Sequence, residues 1–257
     1  MIDLHSHILP GLDDGARSFD EAISMAGIAV AEGIHDMVAT PHYTGEEMTE
    51  AFYSRVLQQR DQLDGLLKEA HIDLKIYIGA EAWISPFLIS KGDVHSLCLN
   101  GSRYLLVELP MMDMPQYTEA VIYQLQLKGI VPVIAHPERN QAIIRDPNLL
   151  GRLIDLGAIA QANTGSILGK FGSAVQKCAR ILLEHDMIHA LGTDAHSDRT
   201  RSPRWKECLP ILEKWIGCTK AEAILHTVPQ AILQDRPLEL PPPREYRRRR
   251  SLFSWRR

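Results

Sequence analysis

The sequence predicts an α/β fold, a parallel sheet with crossover helices that closes into a barrel. Three observations carry that expectation. Short apolar strand patterns alternate with helical ones about seven times between Met1 and Gln234, the arrangement that makes parallel sheets. The chain is 257 residues long and shows no linker in its first 235, which suits one barrel. Its histidines and carboxylates gather at or just after strand ends, where the active sites of such barrels lie. An open doubly wound sheet shares the alternation and is the other arrangement it allows.

The first strand runs through Met1–Leu4 and presents His5 and His7, two residues apart and therefore on one face. Asp13 and Asp14 follow in a loop bounded by Pro10, Gly11 and Gly15. Phe19 to Glu32 reads as an amphipathic helix, with Ser18 as its cap and Glu21 three residues on. Ile34 to Ala39 is a strand that stops at Thr40-Pro41-His42, because proline cannot extend a central strand. Glu46 to Ala70 is a long helix. Ile72 to Ile78 alternates apolar and polar residues and runs into Gly79-Ala80-Glu81.

Tyr104 to Leu109 is an apolar strand with Glu108 embedded in it, and an unpaired carboxylate there is expensive to bury. A helix over 116–128 leads to the strand Ile130 to Ala135, which ends at His136-Pro137-Glu138-Arg139. A helix over 146–156, a strand over 158–162 and a helix over 174–184 follow. The strand Met187 to Leu191 opens into Gly192-Thr193-Asp194-Ala195-His196 and repeats the two-residue spacing of His5 and His7. Helices over 203–215 and 220–234 complete the domain.

Nine residues thus share one location: His5, His7, Asp14, His42, Glu81, Glu108, His136, Asp194 and His196. The remaining histidines (His35, His71, His95, His185, His189, His226) fall elsewhere and read as structural or solvated. A metal takes about four to six ligands, so nine suffice for two or three ions with a bridging carboxylate. Imidazole and carboxylate without thiolate suit Mn²⁺, Fe²⁺ or Zn²⁺. Such ions acidify a bound water and clamp the oxygens of a displacement at phosphorus. Arg139 and Arg201 lie close behind His136 and His196, and guanidinium matches the paired oxygens of a phosphate. Cys98 to Arg103 is one residue short of a cysteine-phosphatase loop, so Cys98 reads as structural.

The bulk numbers agree with a soluble globular protein: 45% hydrophobic, 23% charged, net charge −4. No apolar run approaches the ~20 residues of a membrane span, and no secretory leader is visible. Four scattered cysteines suit a reducing, cytoplasmic compartment. From Arg244 to Arg257 stand seven arginines and one glutamate, a local charge of +6, leaving −10 for the rest. That acidic body argues against nucleic-acid binding. The expected domains are a barrel over 1–240 and a flexible, proline-then-arginine-rich tail over 241–257. The tail's arginines with Leu252, Phe253 and Trp255 suit an anionic membrane surface at the inner face or an acidic partner.

The motifs D-L-H-S-H, D-D-G, T-P-H, G-A-E, V-E-L, A-H-P-E-R and T-D-A-H, in this order, resemble the PHP (polymerase and histidinol phosphatase) superfamily. The stretches MIDLHSHILPGLDDGA, ATPHY, HPERN and TDAHS are more narrowly similar to the bacterial manganese-dependent protein-tyrosine phosphatases that accompany capsule and exopolysaccharide synthesis. The resemblance covers roughly Met1 to Gln234 and implies a distorted TIM-like (β/α)7 barrel. It implies that His5, His7, Glu81 and Asp194 hold one metal, with Glu81 bridging to a second held by Glu108 and His136. Asp14, His42 and His196 would hold a third. It also implies phosphate-binding roles for Arg139 and Arg201, although SDRTRSPR offers Arg199 and Arg204 as well. The implied cofactor is Mn²⁺, with Fe²⁺ or Zn²⁺ as alternatives. The implied partner is a phosphotyrosine protein, typically a bacterial tyrosine kinase. A small-molecule phosphatase of the histidinol-phosphate type is the nearest rival, followed by a metal-dependent nuclease and a non-enzymatic metal-binding regulator.

Overall fold

In the computed structural model, which describes residues 1–90 and 92–247, nine short strands all pair in parallel. They are β1 Ile2–Ser6, β2 Asp36–Ala39, β3 His42–Tyr43, β4 Lys75–Ile78, β5 Glu81–Trp83, β6 Tyr104–Glu108, β7 Val131–Ala135, β8 Ile159–Asn163 and β9 Ala190–Gly192. One sheet runs β1-β2-β4 and the other β3-β5-β6-β7-β8-β9. The two are continuous in the backbone. β2 resumes as β3 after Thr40-Pro41, and β4 resumes as β5 after Gly79-Ala80. Gly79 N–H donates to Ala39 O (2.9 Å) and Glu81 N–H to Pro41 O (3.1 Å) across those breaks.

The last strand returns to the first. Asp194 N–H donates to His5 O and His7 N–H to Ala195 O, both at 2.8 Å, around a parallel bridge between Ser6 and Ala195. Hydrogen bonds therefore run round seven strand positions, as the alternating sequence predicts. The expected strand over 34–39 begins later, at Asp36, and that over 72–78 at Lys75. β3 and β5 were not expected, because Pro41 and the Gly79-Ala80 pair read as strand ends.

The helices lie between successive strands. α1 Phe19–Ala31 starts at Ser18, whose side chain accepts from Glu21 N–H. α2 is Thr49–Glu69, α3 Thr118–Leu127, α4 Gln141–Arg145, α5 Asn148–Asp155, α6 Thr164–Ile167 and α7 Ser173–Glu184. The C-terminal helices are shorter than expected: α8 Leu209–Ile216, α9 Cys218–Glu222 and α10 Val228–Leu233, with a π-turn at Ala223–Thr227 joining the last two.

Strand alternation divides the apolar residues into two cores. Leu4, Val38, Leu106, Val133, Ile159 and Ala190 face the barrel axis, where α10 brings Val228, Ile232 and Leu233. Met37, Ile76, Leu105, Val107, Ile134 and Leu191 face outward against the helices. A register shift between Asp3 and Ser6 lets β1 aim both Leu4 and His5 inward. The Asp3 carboxylate caps that irregularity. It accepts from His5 N–H (3.2 Å), Thr193 N–H (2.9 Å) and the Thr193 hydroxyl (2.5 Å), tying β1 to the loop after β9.

The sequence places a boundary at Leu240. Residues 241–247 continue along the outside of the barrel, where Arg244 N–H donates to His185 O and Tyr246 exchanges two hydrogen bonds with Asn148. The predicted membrane contact spans Arg244 to Arg257, and its part beyond Arg247 lies outside the described residues. No helix among the described residues is long and apolar enough to cross a membrane.

Candidate active site

The C-terminal ends of the strands bring all nine predicted ligands to one mouth. His5 and His7 come from β1, His42 from β3, Glu81 from β5 and Glu108 from the end of β6. His136 follows β7, while Asp194 and His196 follow β9. Asp14 is held in the loop after β1. That loop folds back because Gly15 has no side chain: a Cβ there would stand 2.2 Å from His7 O and 2.5 Å from His7 Cβ.

Glu81 is the centre. It is 1% exposed, and its Oε2 lies 3.2 Å from His5 Nε2, 3.2 Å from His7 Nε2 and 3.1 Å from His42 Nδ1. Its Oε1 accepts from His136 Nε2 at 2.8 Å. Glu108 Oε1 is 3.8 Å from the same His136 nitrogen. Asp14 Oδ1 stands 3.4 Å from both His42 Nε2 and His196 Nε2. Three overlapping sets could each hold an ion: His7, Asp14, His42 and His196; His5, His7 and Glu81; and His42, Glu81 and Glu108. The geometry thus draws His7 toward the Asp14 set and His42 toward Glu108, a more interleaved grouping than the resemblance implies.

Two candidate ligand positions adopt left-handed backbone, His136 (φ 31°) and Asp194 (φ 52°). Such conformations cost a non-glycine residue about 1–3 kcal/mol and cluster at functional sites. Here they turn the chain sharply at the strand ends and aim both side chains across the mouth.

The imidazoles are oriented from behind. His7 Nδ1–H donates to Asp13 Oδ2 (2.6 Å), His5 Nδ1–H to Gln161 Oε1 (2.9 Å) and His196 Nδ1–H to the Asp194 carbonyl (2.9 Å). Each partner leaves Nε2 facing the cluster, as ligating histidines need. Asp13 also accepts from Gly15 N–H and His42 N–H, and Gln161 is steered by Asn163. Sequence reasoning passed over Asp13, Gln161 and Asn163. The adjacent Asp13-Asp14 pair was the one available signal, since neighbouring residues seldom face the same point.

Charge is balanced locally. Burial pushes Glu81 up, but the imidazoles of His5, His136 and His42 outweigh it and hold the carboxyl well below its usual range. Asp194 behaves alike: burial opposes ionisation, and His5 and His7 hold the group well below normal. Burial and the neighbouring Glu81 charge raise Glu108. Burial opposes the ionised form of Asp13 as well, yet its bond from His7 prevails and brings it to about 2.

Both predicted arginines converge on Asp194. Arg139 donates to Oδ2 (2.8 Å), beside a bond from Asn163 Nδ2 (2.7 Å), and Arg201 pairs with Oδ1 (2.7 Å). Arg139 also lies 4.5 Å over the Phe171 ring. Arg199 instead pairs with Asp198 and is 82% exposed. Of the aromatic residues near strand ends, Tyr43 is buried against Phe52, whereas Trp83 and Phe87 are exposed. Cys98 is buried, and burial pushes its thiol up to about 12, in keeping with a structural role.

The cluster passes a chemical test for metal. Glu81 Oε2 is buried and makes no hydrogen bond among the described residues, although three imidazole nitrogens surround it. An orphaned carboxylate oxygen is costly, and a cation shared with those nitrogens satisfies it. The donors are mixed imidazole and carboxylate without thiolate, a set for borderline divalent ions.

The model of the family described as "Capsular polysaccharide synthesis, CpsB/CapC" matches residues 1–234. Tyrosine-protein phosphatase YwqE of Bacillus subtilis (strain 168) is 37% identical over 254 residues, 97% of this chain and 98% of that protein. Tyrosine-protein phosphatase CpsB of Streptococcus pneumoniae is 30% identical over 241 residues, 91% of this chain and 99% of that protein. A solved structure from work on YwqE and CpsB, described there as unique metal-dependent tyrosine phosphatases, superposes with TM-score 0.90 at 36% identity. It covers 96% of this chain and 100% of its own. A histidinol phosphate phosphatase of Lactococcus lactis shares the fold alone, at TM-score 0.53 and 14% identity.

Proposed function

This chain belongs to the CpsB/CapC family of capsular polysaccharide synthesis proteins, and we propose that it is a metal-dependent phosphatase of phosphotyrosine in a protein. Its substrate would be a bacterial tyrosine kinase or a related partner, and its role the control of capsule or exopolysaccharide synthesis. The observation that supports this most directly is the coincidence of two arginines with nine histidine and carboxylate side chains at one barrel mouth, seven of which fall into groups that could hold an ion.

The ions would be two or three Mn²⁺, with Fe²⁺ or Zn²⁺ also suited to the donors. His5, His7, Glu81 and Asp194, then Glu108 and His136, then Asp14, His42 and His196 would hold them. When bound, such ions supply Lewis acidity and an acidified water for attack at phosphorus.

The chain's own residues do the rest. Asp13, Gln161 and the Asp194 carbonyl fix the imidazole tautomers. Arg139 and Arg201, with side chains 18% and 33% exposed, border the mouth and offer guanidinium to the anionic phosphate. Their pairing with Asp194 keeps them extended and pre-positioned before substrate arrives. No serine or cysteine nucleophile is needed, and buried Cys98 is not equipped to be one. The free cysteines are consistent with a cytoplasmic protein. Contact of the tail with anionic lipid remains part of this reading on the sequence of its arginines.

The test is hydrolysis of a phosphotyrosine peptide by metal-stripped protein re-supplied with Mn²⁺, beside a His136→Ala variant. Return of activity in the parent and not in the variant supports the reading. Cleavage of histidinol phosphate in place of the phosphopeptide would move the assignment to a small-molecule phosphatase. Tight metal binding without either activity would leave a regulatory role.

A further inference from the structure

A buried histidine stands at the opposite end of β9 from the candidate metal ligands. Asp194 and His196 follow this strand, whereas His189 immediately precedes it. There a cavity of about 500 Å³ opens between the start of β9, the helices α8 to α10 and the C-terminal segment. Its walls are aliphatic, with Ile188, Ile216, Ile224, Val228 and Leu240 among them. The volume is within the range of small-molecule sites, which pair apolar walls with few polar groups.

We propose that this cavity binds an aliphatic molecule carrying one carbonyl or carboxylate oxygen, held by a hydrogen bond from His189 Nε2.

His189 is 3% exposed and lines the cavity. Its Nδ1 accepts the Ala160 N–H at 3.1 Å, so the ring proton resides on Nε2. That edge of the ring is turned away from β8 and has no hydrogen-bond partner among the described residues. A buried donor without a partner is costly. Nδ1 serves the Ala160 N–H, whereas no described residue serves Nε2–H. The unused donor therefore points to an acceptor that arrives with a ligand.

The surroundings select the rest of the molecule. The absence of aromatic walls among the lining residues favours an alkyl chain over a flat ring. At the edge, the single carboxylate of Asp186 receives both Lys220 Nζ and Arg244 Nε, which leaves a local excess of positive charge. An anionic or strongly polar head suits that edge. Burial keeps His189 neutral by pushing it down to about 4, so it acts as a donor of a neutral hydrogen bond.

The site carries its own reporter. Cys218 lines this cavity and is exposed, whereas Cys98, Cys178 and Cys208 are buried with thiols pushed up to about 12. Alkylation of the native full-length chain by N-ethylmaleimide thus reads out Cys218. With decanoate as the probe, labelling of Cys218 is expected to slow several-fold, and the His189 ring resonances to shift. His189→Phe removes the donor, together with the Nδ1 acceptor of the Ala160 N–H, and it is expected to weaken decanoate binding at least roughly five- to tenfold, the value of one hydrogen bond. Ala223→Trp within the cavity, or Thr219→Trp at its mouth, is expected to abolish protection. Unchanged His189 resonances and unchanged Cys218 labelling at saturating decanoate would overturn the proposal. So would protection that persists in both tryptophan variants. The parent's His189 resonances decide the matter even where a variant fails to fold.

Discussion

Asp13 Oδ2 lies 2.6 Å from His7 Nδ1, and the same oxygen accepts the backbone N–H of His42 at 3.0 Å. One carboxylate outside the predicted ligand set thus aims one candidate ligand and holds the main chain of another. Oriented ligands lose less freedom on binding, and partners of this kind typically contribute 10–100-fold to affinity or activity. Asp13→Asn is accordingly expected to lower kcat/KM on a phosphotyrosine peptide by about 10–100-fold. A Mn²⁺ titration of the same variant should show weaker loading; unchanged loading and activity would refute the role.

Gly15 is where the Asp13-Asp14 loop turns back against β1. Any Cβ would collide with His7 O at 2.2 Å, a backbone atom that cannot rotate away. Gly15→Ala is expected to displace the loop, lower stability by about 1–3 kcal/mol and take Asp14 away from His42 and His196. Thermal unfolding and phosphatase assays on the same preparation check this, and a variant with parental values would show that the loop adapts.

The Phe171 ring supports Arg139 from behind at 4.5 Å. A cation–π contact at a partly exposed site contributes about 0.5–1 kcal/mol. Phe171→Leu is expected to raise KM for the phosphopeptide about two- to fivefold, from that energy, with a smaller change in kcat. A pure kcat effect would indicate that Phe171 serves another purpose.

Metal removal is expected to lower thermal stability as well as activity. A ligand at 100 times its Kd adds about 2.7 kcal/mol to the folded state. In a chain of this size each kcal/mol corresponds to about 2–4 °C. A chelator should therefore lower Tm by several degrees and Mn²⁺ should restore it. His136→Ala should shrink the difference.

His189 sets a pH-dependent component of stability away from the candidate metal ligands. Its folded pKa is depressed to about 4 from 6.5, so the unfolded chain binds the extra proton between those values. Stability is fully present above pH 6.5 and is lost as pH falls toward 4, by at most about 3 kcal/mol for that shift. The difference between the parent and His189→Phe, measured by denaturant unfolding from pH 7 to 4.5, should show this loss in the parent alone. Parallel curves would refute it.

The order of strands and helices was legible in the sequence because side-chain periodicity is local. The same periodicity located the nine candidate ligands at the barrel mouth, since a strand end is recognisable from the residues on either side of it. β3 and β5 were not legible. Two- and three-residue strands after Pro41 and Gly79-Ala80 carry no period of their own and are defined by the neighbours they pair with. Spacing favoured Arg201 but left Arg199 and Arg204 open. In the fold it is Arg201 that reaches Asp194, because the loop after His196 turns back through the His196 N–H to Arg201 O bond.

The sequence by itself determined the α/β alternation, the mouth at which chemistry collects and the type of metal donor. Tertiary structure alone decided which donors meet, which imidazole nitrogen each presents, and which buried atoms are left without a partner. The physical reason is separation along the chain. Alternation acts over two to four residues, whereas His5 meets Gln161 across 156 residues, His136 meets Glu81 across 55 and the Asp3 carboxylate meets Thr193 across 190. Only closure of the strand ring brings such pairs within hydrogen-bonding distance.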